Sequence, residues 1–342
     1  MVALTIITAN SFAQVQSDIQ SATLIHGDQT NVYYGMNAFG VAYDNAVDND
    51  IIVLSPGTFS SEVHVKKSLT IYGSGHATDA DSKNASTEVY GTLSIECREQ
   101  SDDDENLTYE YPTVTLEGLN VSVRISNNAH EAVIRNLKVR KCKGTFFEMG
   151  ASSENCLISQ CVYSRMDTSY SGCRAQQFNI ENSWLSGVRG NNSISNNIHF
   201  DHCIIYNFEP SQNQSNAIAY YTNCILYASY PTYSTGSNNI KVASYSSTEF
   251  VDAEGNWQGL SNADIWADTN EDGNYSDTKT FALKFPQNYI GTDGTEVGIN
   301  GGNAPFDRIS PIPRILAADV DLRTAEDGKL NVSFKVEAQT KE

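Results

Sequence analysis

The stretch from Asp268 to Asp277 carries oxygen-bearing side chains at the spacing that calcium loops use. Its pattern D-x-N-x-D-G places Asp268, Asn270 and Asp272 around one point, and a glycine follows where such loops turn sharply. The twelfth position, which holds a bidentate glutamate in an EF-hand, is Lys279, so Asp277 would have to substitute for that glutamate. We expect a looser calcium site here, or alternatively a turn-rich surface loop.

Cationic side chains cluster in a second region, although the formal net charge of the chain is −19. Between Arg124 and Arg189, the cations Lys141, Arg165 and Arg189 recur at about the spacing of the repeat described below. If they line one edge, they would attract an anionic ligand such as a uronate or a sulfated sugar, and one could act as the base of a lyase. The alternative is that they pair with acidic residues on the same surface.

The elements that would position these residues follow from a repeated pattern of an apolar residue, any residue, a polar residue and a small or apolar residue. The polar position steps by 24, 22, 20 and 21 residues. Its occupants are Asn136, Gln160, Asn182, His202 and Asn223. A period in this range indicates a repeat architecture whose units bury their apolar faces against their neighbours.

A period of about 22 residues suits one turn of a parallel β-helix, because each turn then holds a few short strands and corners. Equivalent side chains stack about 4.8 Å apart, and an amide side chain tolerates the left-handed corner between two strands. We therefore predict a polar ladder at these positions. Cys161, Ser183, Cys203 and Cys224 form a second column of small side chains beside it.

On these residues, the chain resembles secreted bacterial proteins of the pectin-lyase-like superfamily, which are right-handed parallel β-helices with an asparagine ladder. The resemblance covers roughly residues 30 to 250. It implies an all-β solenoid with an N-terminal helical cap, followed here by a C-terminal β-hairpin. It does not select a function, since this fold carries lyases, hydrolases, adhesins and inert scaffolds.

The chain divides into five predicted parts. Residues 1–13 are apolar and end in small residues, which is typical of a signal peptide cleaved after Ala13. The charged start of such a peptide is missing, so we expect a truncated one. Asn37 is expected to cap a helix at residues 38–47, and the terminal hairpin is expected at residues 314–322 and 329–338. The predicted parts are the signal peptide (1–13), the cap (14–50), the β-helix (51–250), a loop-rich closing segment (251–310) and the hairpin (311–342).

The sequence lacks the catalytic motifs of the enzymes that it resembles. Polygalacturonase-type hydrolases use an N-T-D motif, an adjacent aspartate pair on a coil and a G-H-G triplet, none of which is found here. His199, Asp201 and His202 lie close together in sequence, but strand alternation turns the first two outward and leaves His202 on the ladder. The absence of these signatures favours a protein that is not an enzyme.

We therefore predict an exported scaffold or binding protein, periplasmic, cell-surface or extracellular, that contacts carbohydrate or another surface polymer. A polysaccharide lyase acting on an acidic glycan through Lys141, Arg165 or Arg189 is the first alternative, and an adhesin-like module without a small ligand is the second. Calcium is the only cofactor predicted. The strong negative charge argues against nucleic acid and anionic lipid as partners.

Overall fold

The protein is a parallel β-solenoid of about seven regular turns with little helix, as seen in a computed structural model. The model describes part of the chain. The described residues are 20–60, 63–76, 86–101, 107–126, 132–167, 175–190, 197–210, 219–227, 235–242, 252–308, 314–320 and 332–337. The predicted signal peptide lies outside them.

The first long sheet has thirteen strands, and most are parallel neighbours from successive coils. Only the first two strands in chain order run antiparallel to their neighbours. The strands are Ser21–His26, Gln29–Tyr34, Asp50–Leu54, Leu69–Tyr72, Val114–Glu117, Val133–Arg135, Lys138–Arg140, Ser152–Ser159, Ala175–Glu181, Ile198–Asp201, Ala219–Thr222, Thr235–Ser237 and Asp252–Glu254.

The second long sheet has eleven strands, all parallel to their neighbours. Most of them follow a strand of the first sheet, so the chain alternates between the two sheets. The strands are Gly57–Ser60, His64–Val65, Thr87–Ile95, Asn120–Ile125, Lys143–Met149, Val162–Asp167, Trp184–Gly190, Ile204–Pro210, Ile225–Leu226, Ile240–Val242 and Trp257–Leu260.

The remaining elements are short. Strands Arg98–Ser101 and Leu107–Glu110 pair antiparallel, as do Arg314–Val320 and Val332–Glu337 near the C-terminus. Helices span Ala38–Asn45 and Asn262–Ile265, and a 3₁₀ turn spans Pro286–Asn288. No helix among the described residues is long and apolar enough to cross a membrane.

Alternation along the strands builds the core between the two sheets. The inward positions of the first sheet stack in register from coil to coil, and each is at most 2% exposed. This column is Ile52, Ile71, Leu116, Val139, Ile158, Ile180, Phe200 and Tyr221. Phe200 and Tyr221 stack face to face at 5.0 Å. A solenoid core of this kind depends on contacts between neighbouring coils.

Residues beyond the solenoid cover the outer face of its second sheet. Trp184 and Tyr227 point outward from this face and form a second buried cluster with Ile265, Trp266 and Phe281. The Trp184 indole N–H also donates to the carbonyl of Gly273 at 2.7 Å. The predicted closing segment therefore lies along the side of the solenoid, where it makes its own apolar core.

Two predicted boundaries need correction. The helix ends at Asn45 and not at residue 47, and Val47 is 50% exposed; Asn37 stands at the N-cap position but its side chain makes no capping hydrogen bond. The parallel ladder also continues past the boundary predicted at residue 250, through strands Asp252–Glu254 and Trp257–Leu260. The strands of this last coil are short and contain polar residues, so the periodicity of the sequence does not reveal them.

Candidate functional site

A left-handed corner follows each regular strand of the first sheet. The corner residues have φ between 45° and 72°. The backbone N–H of each corner residue donates a hydrogen bond to a backbone carbonyl of the next coil. The corner column is Gly118, Lys141, Gln160, Asn182, His202, Asn223 and Asn238. Amide side chains and glycine suit this conformation because they pay the smallest steric cost there. The ladder positions predicted at Gln160, Asn182, His202 and Asn223 lie in this column.

Asn136 does not belong to the corner column, contrary to the ladder prediction. It follows the extra strand Val133–Arg135, and its side-chain oxygen Oδ1 accepts a hydrogen bond from Asn155 Nδ2 at 2.6 Å. Lys141 takes the corner position in this coil, since its N–H donates to Ser159 O at 3.0 Å. The coil has one additional bend, and the sequence spacing alone assigned the column to the wrong bend.

The small residues beside the corners form a buried ladder. The Cys161 N–H donates to Ser183 Oγ at 3.0 Å, and the Cys203 N–H donates to Cys224 Sγ at 3.4 Å. Asn239 continues the column, because the Cys224 N–H donates to its Oδ1 at 2.8 Å. The predicted second column is thus confirmed, and its side chains accept bonds from the neighbouring coil in addition to filling space.

The corner column binds residues 290–307, which are part of the predicted closing segment. From here on, the name closing segment refers to residues 290–307. Successive corner side chains hold successive parts of this segment, which runs back along the solenoid from the later coils to the earlier ones. The contacts are Asn238 Nδ2 to Ile290 O (2.9 Å), Asn223 Oδ1 to Thr292 N (2.8 Å), His202 Nε2 to Thr295 Oγ1 (3.1 Å), Asn182 Nδ2 to Gly301 O (2.7 Å), Gln160 Nε2 to Ala304 O (3.3 Å) and Lys141 Nζ to Asp307 Oδ2 (2.9 Å). The polar ladder is therefore a docking track for the chain's own C-terminal part.

A groove of about 420 Å³ lies where the docked closing segment borders the outer face of the first sheet. Two columns of outward side chains form its floor, and the closing segment forms one wall. Its lining residues are Asn155, Gln177, Asn179, Glu181, His199, Asp201, Thr222, Asn223, Thr292 and Asp293. Carboxylates, amides and hydroxyls dominate this lining, so the groove offers many hydrogen-bond acceptors and donors.

A stacked ring pair lies at the edge of the groove, and one of its rings, His199, lines the groove. His199 and Tyr220 are register neighbours on adjacent strands, and their rings stack at 4.6 Å with 10° between their planes. Both side chains are half-buried. A flat, partly exposed ring surface beside polar groups suits a ligand that has an apolar face and a polar rim.

Two carboxyl groups in the groove differ in their tendency to ionise. Burial raises the pKa of Glu181, and the nearby charge of Asp201, its register neighbour, raises it further. Burial also disfavours the charge of Asp293, but hydrogen bonds from the N–H and Oγ1 of Thr295 hold its pKa below the ordinary value. A carboxyl group that protonates easily beside ionised ones is the arrangement that acid–base chemistry uses.

Among the residues that the structure describes, no lysine or arginine lines the groove. Burial lowers the pKa of His199, which keeps that imidazole neutral near pH 7. Beneath the lining, the buried His202 ring lies 3.0 Å from Asp201 and 3.6 Å from Asp293. The net charge at the mouth is therefore negative, which disfavours an anionic ligand.

The three predicted basic residues do not form one strip. Lys141 sits at the corner and binds Asp307, whereas Arg165 and Arg189 lie on the second sheet. Arg165 contacts Glu148 and lies 3.2 Å from Asp167. Its guanidinium group therefore pairs with acidic residues on the same surface, as the alternative prediction states. Arg189 is exposed and lies opposite Asp167 and Glu209 on the two neighbouring strands.

The four predicted calcium ligands do not converge. Asp277 turns toward Lys143 Nζ at 3.0 Å, and Asp272 contacts the ammonium group of Lys279. Lys279 also lies 3.1 Å from the buried Glu271, while Asp268 accepts bonds from the N–H and side chain of Asn270. Within the described ranges, no group of three or more histidine, cysteine or acidic side chains is arranged to hold a metal. Calcium stays a prediction here, and a lysine supplies the positive charge.

The groove residues were only partly visible in the sequence. Strand alternation predicts that His199 and Asp201 face outward, but no catalytic motif marks them in the sequence. The signal that would have found them is the position one and three residues before each corner, which gives Asn179 and Glu181, then His199 and Asp201, then Tyr220 and Thr222. The contribution of the closing segment required the three-dimensional structure.

Comparisons with known proteins add nothing to these observations. No family model, no curated protein and no solved structure matches the chain. The structure shows a parallel β-solenoid and identifies no family.

Proposed function

We propose that this protein binds a neutral carbohydrate in the groove between the first sheet and the closing segment. The observation that carries the proposal is the half-buried His199 ring, which lines the groove beside the carboxyl groups of Glu181 and Asp201 and stacks on Tyr220 of the next coil. A sugar ring presents an apolar face to such an aromatic ring, and its hydroxyl groups donate to carboxylates and amide oxygens. The negative lining favours a neutral glycan over an acidic one.

The proposal includes features that lie beyond the described geometry. Right-handed winding, end-capping by the helix Ala38–Asn45 and export through residues 1–13 are part of it. N-terminal sequencing of protein recovered from the producing cells tests export, since cleavage would leave Gln14 as the first residue. If the groove binds no carbohydrate, the remaining proposal is an adhesin-like role without a small ligand.

The binding test compares wild type with Tyr220→Ala by affinity electrophoresis and calorimetry. The probes are neutral oligosaccharides (gluco-, xylo- and chito-oligosaccharides) and oligogalacturonate. We expect binding of a neutral probe and a loss of about tenfold in Tyr220→Ala, since ring stacking contributes roughly 1 kcal/mol. Tyr34→Ala, which removes a 71% exposed tyrosine far along the chain, is the matched control.

Two results would overturn the binding proposal. One is a flat response to every neutral probe, and the other is an equal loss in the Tyr220 and Tyr34 variants. Preferential binding of oligogalacturonate would also contradict it, because the lining has no cation to pair with a uronate.

Glycoside hydrolysis at the same groove is a second candidate. The specific observation is that Glu181, whose pKa is raised by burial and by Asp201, faces Asp201 in the adjacent coil. A carboxyl group with a raised pKa beside a second carboxyl group can serve as the acid in the hydrolysis of a glycosidic bond. Release of reducing ends by wild type but not by Glu181→Gln supports this candidate, and no release from any bound probe excludes it.

The lyase alternative has less support, because Lys141 and Arg165 both contact carboxylates. An ultraviolet assay for unsaturated products tests it directly. A signal on acidic polysaccharides that disappears in Arg165→Ala would favour the lyase over both other candidates.

A further inference from the structure

We propose that the N-terminal end of the solenoid binds a second copy of this chain. In the proposed dimer, strand Gln29–Tyr34 pairs antiparallel with the same strand of the second copy, and Val32 lies on the two-fold axis. This interaction is separate from the carbohydrate groove.

The strand Gln29–Tyr34 is the outermost strand of the first sheet. Its inner side pairs with Ser21–His26, and no strand among the described residues pairs with its outer side. Every residue of the strand is exposed except Tyr33, which is half-buried. An edge of this kind presents a row of backbone N–H and C=O groups to solvent.

The hydrogen-bonding direction of each residue follows from the hairpin register. The Gly35 N–H donates to Gln20 O at 2.8 Å, so that opposed pair is hydrogen-bonded. Directly opposed residues alternate between bonded and non-bonded pairs in an antiparallel ladder. Gln29, Asn31 and Tyr33 therefore occupy bonded positions opposite the first strand. Thr30, Val32 and Tyr34 alternate with them and turn their N–H and C=O groups away from that strand.

A two-fold axis at Val32 uses all three outward residues. Antiparallel pairing about this axis places Val32 opposite Val32 of the second copy, and it places Thr30 opposite Tyr34 in both directions. These pairs fall on the same face of the sheet, and they are the bonded positions of the new ladder. The edge is therefore complementary to itself in register, in bonding direction and in side-chain character.

The chemistry of this end distinguishes it from the rest of an acidic molecule. Residues 29–43 contain no charged side chain, although the net charge of the chain is −19. Five of the nine exposed large hydrophobic side chains among the described residues lie here, namely Val32, Tyr34, Met36, Val41 and Val47. Edge strands that stay unpaired usually carry lysine, proline or a bulge, and this strand has none of them.

These features select a second copy as the occupant. Two copies can approach through an uncharged end without opposing their carboxylates, whereas most other faces would repel each other. Pairing of the same strand about a two-fold axis also closes after two copies, so it produces a dimer and not a fibre.

The first test is sedimentation velocity on the full chain from about 1 µM to about 1 mM, a range that covers weak association. We expect a concentration-dependent dimer that Val32→Lys abolishes, because two ammonium groups would then face each other at the axis. Tyr90→Lys introduces the same charge at a 73% exposed position on a strand with partners on both sides, and should leave the dimer intact. A wild-type monomer at every concentration overturns the proposal, as does equal loss in the two variants.

A second test checks the register. Val32→Cys should form a disulfide-linked dimer under mild oxidation, because the two cysteines would be directly opposed. Thr30→Cys should not, since its opposite residue would be Tyr34. Both variants also carry Cys173→Ser, and the six other native cysteines are buried. Circular dichroism verifies that each variant is folded. A dimer that cross-links at residue 30 but not at residue 32 would refute the proposed axis.

Discussion

Asn182 holds Gly301 across a sequence separation of 119 residues. Its Nδ2 donates to Gly301 O at 2.7 Å and to Ile299 O at 3.0 Å. Asn182 is also a left-handed corner, with φ of 45°, and is 3% exposed. A single amide thus turns the chain between two sheets and fixes the closing segment that forms one wall of the groove.

Separate substitutions at Asn182 should divide these two roles. Asn182→Gly keeps the left-handed corner but leaves the buried Gly301 carbonyl without this donor and the Ile299 carbonyl with only the Phe306 N–H, which should cost about 1–3 kcal/mol of stability. Asn182→Ala should cost about 1 kcal/mol more, because it adds the strain of a side chain at positive φ. Thermal unfolding and amide exchange at residues 299–302 measure both effects. Unchanged exchange in either variant would contradict a docking role for Asn182.

Gly301 should not accept a side chain. A Cβ at this position would lie 1.7 Å from Glu296 O and 2.7 Å from the His202 ring. We expect Gly301→Ala to cost about 1–3 kcal/mol through overpacking and to expose the closing segment to proteases. Gly40→Ala is the control, since it meets nothing within 4 Å and lies in a helix, where alanine is favoured. Equal protease resistance in the two variants would show that the segment can shift without cost.

The periodicity of the sequence was sufficient to predict the solenoid, because apolar residues such as Ile158 and Ile180 alternate inside a strict coil spacing. It also located the corners at Gln160, Asn182, His202 and Asn223. These features depend on contacts between neighbouring coils, and such contacts leave a repeated signal in the sequence.

The groove depended on a contact that leaves no repeated signal. Thr292 and Asp293 reach Asn223 and His202 from far along the chain, and a non-repeating segment has no period to match. The same limitation explains Asn136, where one additional bend shifted the column. It also explains the basic residues, because Lys141 meets its partner Asp307 only after the closing segment has docked.

Removing the charge of Asp201 should change the titration of Glu181. Burial is the larger cause of the raised pKa of Glu181, and the charge of Asp201 is the second. Asp201→Asn should therefore lower that pKa without returning it to the ordinary value. Asp293→Asn is the matched control at the groove. Carboxyl-carbon NMR titration reads out both variants, and an unchanged Glu181 in Asp201→Asn would remove the basis for an acid–base pair.

His76 should make the protein lose stability in mild acid. The side chain is 3% exposed, and burial, helped by the charges of Lys143 and Arg308, lowers its pKa to about 3. The unfolded chain protonates this histidine near pH 6.5, so the unfolded state binds more protons between those two values. Its contribution is therefore complete above about pH 6.5 and is lost as the pH falls toward 3.

The measurement for His76 is denaturant unfolding between pH 7 and pH 4. The wild-type free energy of unfolding should fall more steeply than that of His76→Gln, by up to about 1.4 kcal/mol per pH unit. His26→Gln replaces a histidine whose side chain is 58% exposed and serves as the control. Parallel curves for wild type and His76→Gln would mean that His76 is reached by protons in the folded state.

Lys279 distinguishes a lysine-stabilised loop from a calcium site. Its ammonium group contacts Asp272 and lies 3.1 Å from Glu271, whose side chain is 4% exposed. Because desolvation opposes the charge of Asp272 while the bond from Lys279 favours it, the net effect is a pKa of about 2 for that carboxyl group. Lys279→Met should leave the buried Glu271 carboxylate without a cation and with only the Gly273 N–H donating to it, which should cost about 3 kcal/mol. If Lys279 alone neutralises the loop, a chelator should leave the wild-type melting temperature unchanged. If chelation instead lowers that temperature and Asp272→Ala removes the sensitivity, calcium and not Lys279 neutralises the loop.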